Sequence, residues 1–207
     1  SFLNKYLLSK NDKLYYHLYP KVKKYLNKKV QQQIEREIAW KFDVDLSTFE
    51  EKCQIGENDS YICSLIRSDS VEEFILYVTH TNLSLLANIK PSIYETNSFL
   101  IDKEPTLIEY AAFFGSIQII QYLKYNKVPL TSSLWLYAIH SRNAELIHFL
   151  EENGVELEKN TQSNYQDFKF NLLYNSKTAI ESIDDVFMES IKCHHNAISN
   201  YIKDNLY

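Results

Sequence analysis

The segment from Thr106 to Leu123, TLIEYAAFFGSIQIIQYL, constrains this chain more than any other. Thr106 followed three residues later by Glu109 is the pattern of a capping box, in which each side chain accepts from the other residue's backbone N–H, so a helix starts there. Leu107, Ile108, Ala111 and Ala112 recur at helical spacing and give that helix a small apolar face. Gly115 ends it, because glycine enters the left-handed backbone region without steric cost and lets the chain reverse. A second helix follows with Ile117, Ile119, Ile120, Tyr122 and Leu123. Paired alanines beside a turning glycine imply two helices packed at short range.

The order of Thr, Leu, two alanines, Gly, paired β-branched residues and a closing Leu resembles an ankyrin repeat. Thr106-Leu107-Ile108-Glu109 stands in place of the family's Thr-Pro-Leu-His box, and Lys127 where the family has a second glycine. More narrowly, residues 58–207 resemble a large protist family of ankyrin-like proteins known only as a domain of unknown function. The resemblance implies an all-α fold, a short solenoid of helix pairs, and no particular function.

The pattern recurs. From Ser132, SSLWLYAIHSRNAELIHFLEENGV places Ala138 on Ala111, Arg142 on Gly115, Ile147 on Ile120 and Leu150 on Leu123, at an offset of 27 residues. An ankyrin unit has about 33, and only the β-turn finger can shorten without loss of core contacts, so the fingers are expected to be short or absent. YICSLIRSDSVEEFILYV from Tyr61 repeats the pattern with Leu65 and Ile66 in the alanine positions and Asp69 at the turn. The long connection 79–104 contains Pro91 and is expected to form a helical turn over Ile93–Leu100. After Val155 a polar loop spans 156–166. A last pair is expected over 187–206, with Ser190 and Ile191 in the alanine positions, His194 at the turn, and Ile198, Tyr201 and Ile202 in the core, closing the array as a cap.

Residues 1–57 differ in kind. They carry 11 Lys and Arg against 8 Asp and Glu, while the remainder carries 11 against 19. Lys10, Lys13, Lys21, Lys23, Lys24, Lys28 and Lys29 alternate with Tyr15, Tyr16, Tyr19 and Tyr25. After Pro20, Val22, Leu26, Val30, Ile34 and Ile38 recur every four residues, the spacing of one amphipathic helix whose lysines are its solvated face. Ser47-Thr48-Phe49-Glu50 reads as a second capping box, and Gly56-Glu57-Asn58-Asp59 as the break between an N-terminal helical segment, 1–57, and the repeat domain, 58–207.

Only three glycines and four prolines in 207 residues disfavour turn-rich β architecture. Cys53, Cys63 and Cys193 are odd in number and widely spaced, which indicates neither a disulfide framework nor structural zinc and fits a reducing compartment. With no membrane-spanning run and no signal-peptide pattern, a cytoplasmic location is expected.

The search for chemistry yields no catalytic residue. Cys193, His194 and His195 are consecutive, so on a helix they point apart and cannot converge on one metal. His140 and His148 are separated by the expected turn. Paired acids such as Glu72-Glu73, Glu151-Glu152 and Asp184-Asp185 are consecutive, as on solvated faces, and no phosphate loop, nucleophile elbow or His-Glu-x-x-His occurs. No metal, cofactor or small-molecule substrate is expected, and the chain is read as a non-enzyme. The expected function is a protein-interaction module or scaffold, its partner contacts made by Tyr110, Phe113, Phe114, Tyr137 and His140 of the first helices. The competing reading packs the phenylalanines under the adjoining repeat. The alternative function is a structural or anchoring protein that grips an acidic cytoskeletal filament, nucleic acid or membrane through a basic surface of Lys21, Lys23, Lys24, Lys28 and Lys29. A pI near 5.7 weighs against it, and neither membrane nor nucleic acid is the expected partner.

Overall fold

The structure, a computed structural model, describes residues 12–101, 103–157 and 182–206. Lys10 and most of the expected 156–166 loop lie outside the described residues, as does the side chain of Lys13. The protein is all-α: eleven α-helices and one short 3-10 turn form, with no strand among the described residues. One isolated antiparallel bridge, Asn88 with Thr106, stands in the connection before the capping box. Contacts divide the chain into two units, Ser1–Ser64 with Lys90–Glu104, and Leu65–Ile89 with Pro105–Tyr207. The expected break after residue 57 falls inside the first of them.

The first unit contains α1 (Asp12–Val22), a 3-10 turn (Lys23–Tyr25), α2 (Lys28–Phe42) and α3 (Leu46–Ile55). Pro20 has no N–H to give to the carbonyl one turn back, and the chain tightens after it and then breaks. Asn27 starts α2 by accepting from Val30 N at 3.0 Å. Gln31 Nε2 fixes the break by donating to the carbonyls of Lys23 and Leu26, both at 2.8 Å. The single amphipathic helix expected after Pro20 is therefore two helices out of phase. Ile34 and Ile38 are buried and Leu26 partly so, but Val22 and Val30 stand exposed at 42% and 36%. Tyr16, Tyr19, Ile34, Ile38, Phe49, Cys53, Ile93 and Tyr94 make the core.

The cap of α3 also differs from expectation. Asp45, not Ser47, is the N-cap and accepts from Ser47 N at 2.8 Å, while Ser47 Oγ donates to the same carboxylate at 2.7 Å. A carboxylate two residues upstream outcompetes a hydroxyl for the helix start. The segment 90–104 returns to the end of α3, where Thr96 N and Oγ1 donate to Gly56 O at 3.0 and 2.8 Å. The helical turn expected within Ile93–Leu100 comes at its end, Asn97 O accepting from Leu100 N and Ile101 N at 3.0 and 2.9 Å.

The division between the units falls within α4 (Tyr61–Arg67). The second unit continues with α5 (Val71–Thr81), α6 (Leu107–Phe114), α7 (Ile117–Tyr125), α8 (Leu134–Ser141), α9 (Ala144–Glu152), α10 (Ile183–Lys192) and α11 (Asn196–Asn205). Thr106 and Glu109 form the reciprocal capping box, and Leu107, Ile108, Ala111 and Ala112 are all buried. Each expected turning position has positive φ: Asp69 at 49°, Gly115 at 71°, Arg142 at 56° and His194 at 56°. A second series follows the second helices, Asn82 at 50°, Lys127 at 66° and Gly154 at 64°. Lys127 thus turns left-handed where the resemblance calls for glycine.

Within this unit α6 packs on α7 and α8, α8 on α9 and α10, α10 on α11, and α5 on α7. Buried Ala111, Ala112 and Ala138 let the first helices approach closely. Polar groups tie each turn to its neighbour. Asp69 accepts from Gln118 N and Ile119 N at 3.1 and 3.0 Å, capping α7 from the preceding turn. Ser116 Oγ donates to Ile66 O at 2.5 Å, and Asn143 Nδ2 to Gly115 O at 3.4 Å. The last first-helix starts at Ile183 rather than near 187, through a capping box of Ser182 and Asp185. Ile191, placed in an alanine position by the alignment, is 45% exposed, while its partner Ser190 is buried.

Candidate functional site

The aromatic residues expected to meet a partner are instead mostly interior. Tyr110 is 1% exposed, Phe113 8% and Tyr137 6%; Phe114 and His140 are half-buried. Of the two phenylalanines, Phe113 is thus buried and Phe114 only partly so. Phe113 lies where α6 stacks on α8, and Tyr110 faces Arg67 of α4. Tyr110 accepts from Arg67 at 3.0 Å and lies 4.9 Å from the Phe114 ring; Phe113 stacks on the His140 imidazole at 4.9 Å and 24°.

The lysines are placed otherwise. Lys21, Lys23, Lys24, Lys28 and Lys29 are all exposed. Lys23 pairs with Glu35 at 2.8 Å and lies over the Tyr19 ring, and Lys24 lies over Tyr25. Tyr19 Oη donates to the same Glu35 carboxylate at 2.9 Å. Burial and that bond push the Tyr19 phenol well above its ordinary value, while Lys23 and Tyr19 hold the Glu35 carboxyl below its own.

Of the consecutive Cys193, His194 and His195, each faces a different way. His194 is the exposed left-handed turn residue, and Arg142 Nε donates to His195 Nε2 at 3.3 Å. Burial, then the charges of Arg142 and His194, lower the His195 pKa. Cys193 points at a residue of another hairpin. Its Sγ lies 3.5 and 3.7 Å from Nδ1 and Nε2 of His140, and His140 Nε2 lies 3.1 Å from Glu189 Oε1. Sγ and Glu189 Oε1 are 4.0 Å apart. Lys192 holds the other carboxylate oxygen of Glu189 at 3.0 Å. Burial and the Glu189 charge raise the Cys193 thiol pKa, against the smaller opposing effects of Lys192 and Arg142.

This cluster was not expected from the sequence. Glu189 on α10 and Cys193 at its C-cap are one turn apart and so share a face. His140 sits two residues before the turn of the preceding hairpin. The repeat alignment could have found it by placing each first helix beside the next, since α8 and α10 are such neighbours. A Cys–His–acid constellation invites comparison with a thiol nucleophile, but the chemistry requires a lowered thiol pKa and a sulfur aligned with one ring nitrogen. Here the thiol is raised and the sulfur is nearly equidistant from both nitrogens.

No family model, no curated protein and no solved structure matches the chain. Among the described residues no helix is long and apolar enough to cross a membrane.

Proposed function

We propose that the chain is a non-catalytic protein-interaction module, a short solenoid of ankyrin-like helix hairpins acting as a scaffold in the cytoplasm. The observation that supports this is the succession of first helices, α6 beside α8 and α8 beside α10, each ending in a left-handed turn residue. Such stacking builds an extended surface out of repeated units, the usual form of a repeat-protein binding face. With Tyr110, Phe113 and Tyr137 interior, the contacts pass to outward apolar residues of the neighbouring helices α5 and α7, Leu76 at 70% and Tyr125 at 83% exposure. Exposed aromatic and aliphatic groups of this size are the anchors interfaces use.

One observation favours a second reading. Val22, Tyr25 and Val30 are exposed among the five lysines, so this surface is both apolar and basic and suits an acidic protein surface such as a cytoskeletal filament. A single experiment separates the two. The chain is used to capture partners from native cells beside two variants, Leu76→Asp with Tyr125→Asp, and Lys21, Lys23, Lys24, Lys28 and Lys29 all changed to Gln. Loss of a stoichiometric partner in the first variant alone supports the module reading. Loss in the second alone, with binding that weakens steeply in salt, supports the anchor. A partner set indifferent to both variants, or an empty capture, sinks both.

A further inference from the structure

The contact of α8 with α10 places three metal-binding side chains of different chemistry at one point: His140, Glu189 and Cys193, whose ligand atoms all lie within 4.8 Å of one another. We propose that these residues form a binding site for a borderline-soft divalent cation, zinc foremost. The proposal is independent of any partner-binding role.

The distances carry it. Zinc ligation with Zn–N near 2.05 Å, Zn–O near 2.1 Å and Zn–S near 2.3 Å at tetrahedral angles sets edges of about 3.4 Å for N···O and about 3.6 Å for S···N and S···O. The observed edges are 3.1 Å from His140 Nε2 to Glu189 Oε1, 3.7 Å from Cys193 Sγ to His140 Nε2, and 4.0 Å from Sγ to Oε1. Each departs from its ideal by about 0.4 Å or less; Sγ also lies 3.5 Å from His140 Nδ1, so the imidazole must turn about its side-chain torsions for the Nε2 lone pair to face the ion. Three contacts of this length among an imidazole, a carboxylate and a thiol are the triangle a tetrahedral ion presents on one face.

The supporting residues fit the same role. A ligating carboxylate needs its other oxygen held, and Lys192 holds Glu189 Oε2 at 3.0 Å, leaving Oε1 turned to the site. Phe113 stacks on the His140 ring at 4.9 Å and covers one of its faces. Glu189 on α10 and Cys193 at its C-cap, one turn on, offer two ligands, and His140 offers the third from α8. All three are half-buried, so an ion can enter and a water can fill the remaining position. Binding releases the thiol proton to solvent and leaves an imidazole, a thiolate and a carboxylate around the cation. The ion would tie the α8–α9 hairpin to α10–α11.

The test uses the full 207-residue chain, stripped with a chelator and titrated with zinc in competition with a chromophoric chelator. Cobalt serves as a spectroscopic substitute. One equivalent of zinc is expected, with a thiolate-to-cobalt charge-transfer absorption in the near ultraviolet. Cys193→Ser should abolish that absorption and weaken zinc binding by about tenfold or more, the lower range seen even for outer-shell changes. His194→Asn, which keeps a residue tolerant of positive φ, should leave both unchanged. A measurement on the unaltered chain guards against misfolded variants: saturating zinc should protect Cys193 from alkylation, read on its own peptide by mass spectrometry. No zinc bound, unaltered binding in Cys193→Ser, or Cys193 alkylated equally fast with and without zinc would each overturn the proposal and leave a hydrogen-bonded cluster.

Discussion

The two units solve the same problem of burying polar atoms by different means. In the second unit, turn residues satisfy the ends of neighbouring helices, Asp69 capping α7 and Ser116 bonding to Ile66 O, and Trp135 of α8 donates Nε1 to Val155 O at 2.7 Å. The first unit packs tyrosines, and some of their polar atoms go unanswered. The Tyr94 hydroxyl and His17 Nδ1 are buried without a hydrogen-bond partner. Burial and, after it, the charge of Asp59 push the Tyr94 phenol up to about 12. The helices of the second unit draw polar partners from neighbouring turns, whereas the core of the first unit leaves these two atoms without them.

Four measurements would break or sharpen that contrast. The largest effect is expected at Trp135, 1% exposed and hydrogen-bonded. Trp135→Ala should cost about 3–5 kcal/mol in urea unfolding followed by circular dichroism, from the cavity and the orphaned Val155 carbonyl. Less than 1 kcal/mol would mean that the second unit has no tightly fitted core.

The turn glycines come next. A Cβ on Gly115 would meet Ser141 Cβ at 3.2 Å and Asn143 Cβ at 3.3 Å, whereas one on Gly154 meets nothing within 4 Å. Both have positive φ, so Gly154→Val should show the backbone strain alone, about 1–2 kcal/mol, and Gly115→Val should show about 1 kcal/mol more. Equal thermal shifts for the two would remove close packing from the account of the Gly115 turn.

Tyr94→Phe should leave the first unit unchanged or stabilise it by up to about 1 kcal/mol, because it deletes a buried hydroxyl that has no partner. A loss above that value would place an ordered water on the hydroxyl.

The smallest effect is a pH dependence. Burial and the Lys21 charge hold His17 below its ordinary pKa of 6.5, so the neutral ring belongs to the folded state. Its stabilisation is complete above the unfolded value and lost as pH falls below it, because the unfolded chain takes up the proton first. Melting temperature should therefore decline between about pH 7 and pH 5.5, and His17→Gln should flatten part of the decline. His195, also lowered, contributes with the same sign and accounts for the part that survives.

The second unit was legible because its signal is spacing, not residue type. Asp69, Arg142 and His194 were located by counting from buried positions, although none is glycine. The helix start at Ser182 was missed since the box closes with Asp185 rather than Glu or Gln, a shorter acid that reaches the same N–H groups. In the first unit, a four-residue period ran unbroken across Asn27 and concealed a change of helix. The period records side chains but not the Gln31 bonds that fix the break. Aromatic content alone did not say whether Tyr110, Phe113 and Tyr137 faced a partner or a neighbour. The metal-type cluster needed the distance between two helices, which no single-helix pattern contains.

Among the described residues six other than glycine adopt positive φ: Asp43, Asp69, Asn82, Lys127, Arg142 and His194. Their consequence lies as much in the denatured chain as in the folded one. A side chain at such a position costs about 1–2 kcal/mol of steric strain in the native state, least for Asn and Asp. It also narrows the conformations open to the unfolded backbone, which returns about 0.4–1 kcal/mol relative to glycine. Turns made this way leave a denatured ensemble stiffer than glycine hinges would, with less entropy to surrender when the helices come together. A protein with three glycines in 207 residues has moved part of its folding cost from the ordering of loose joints to the tolerance of strained ones.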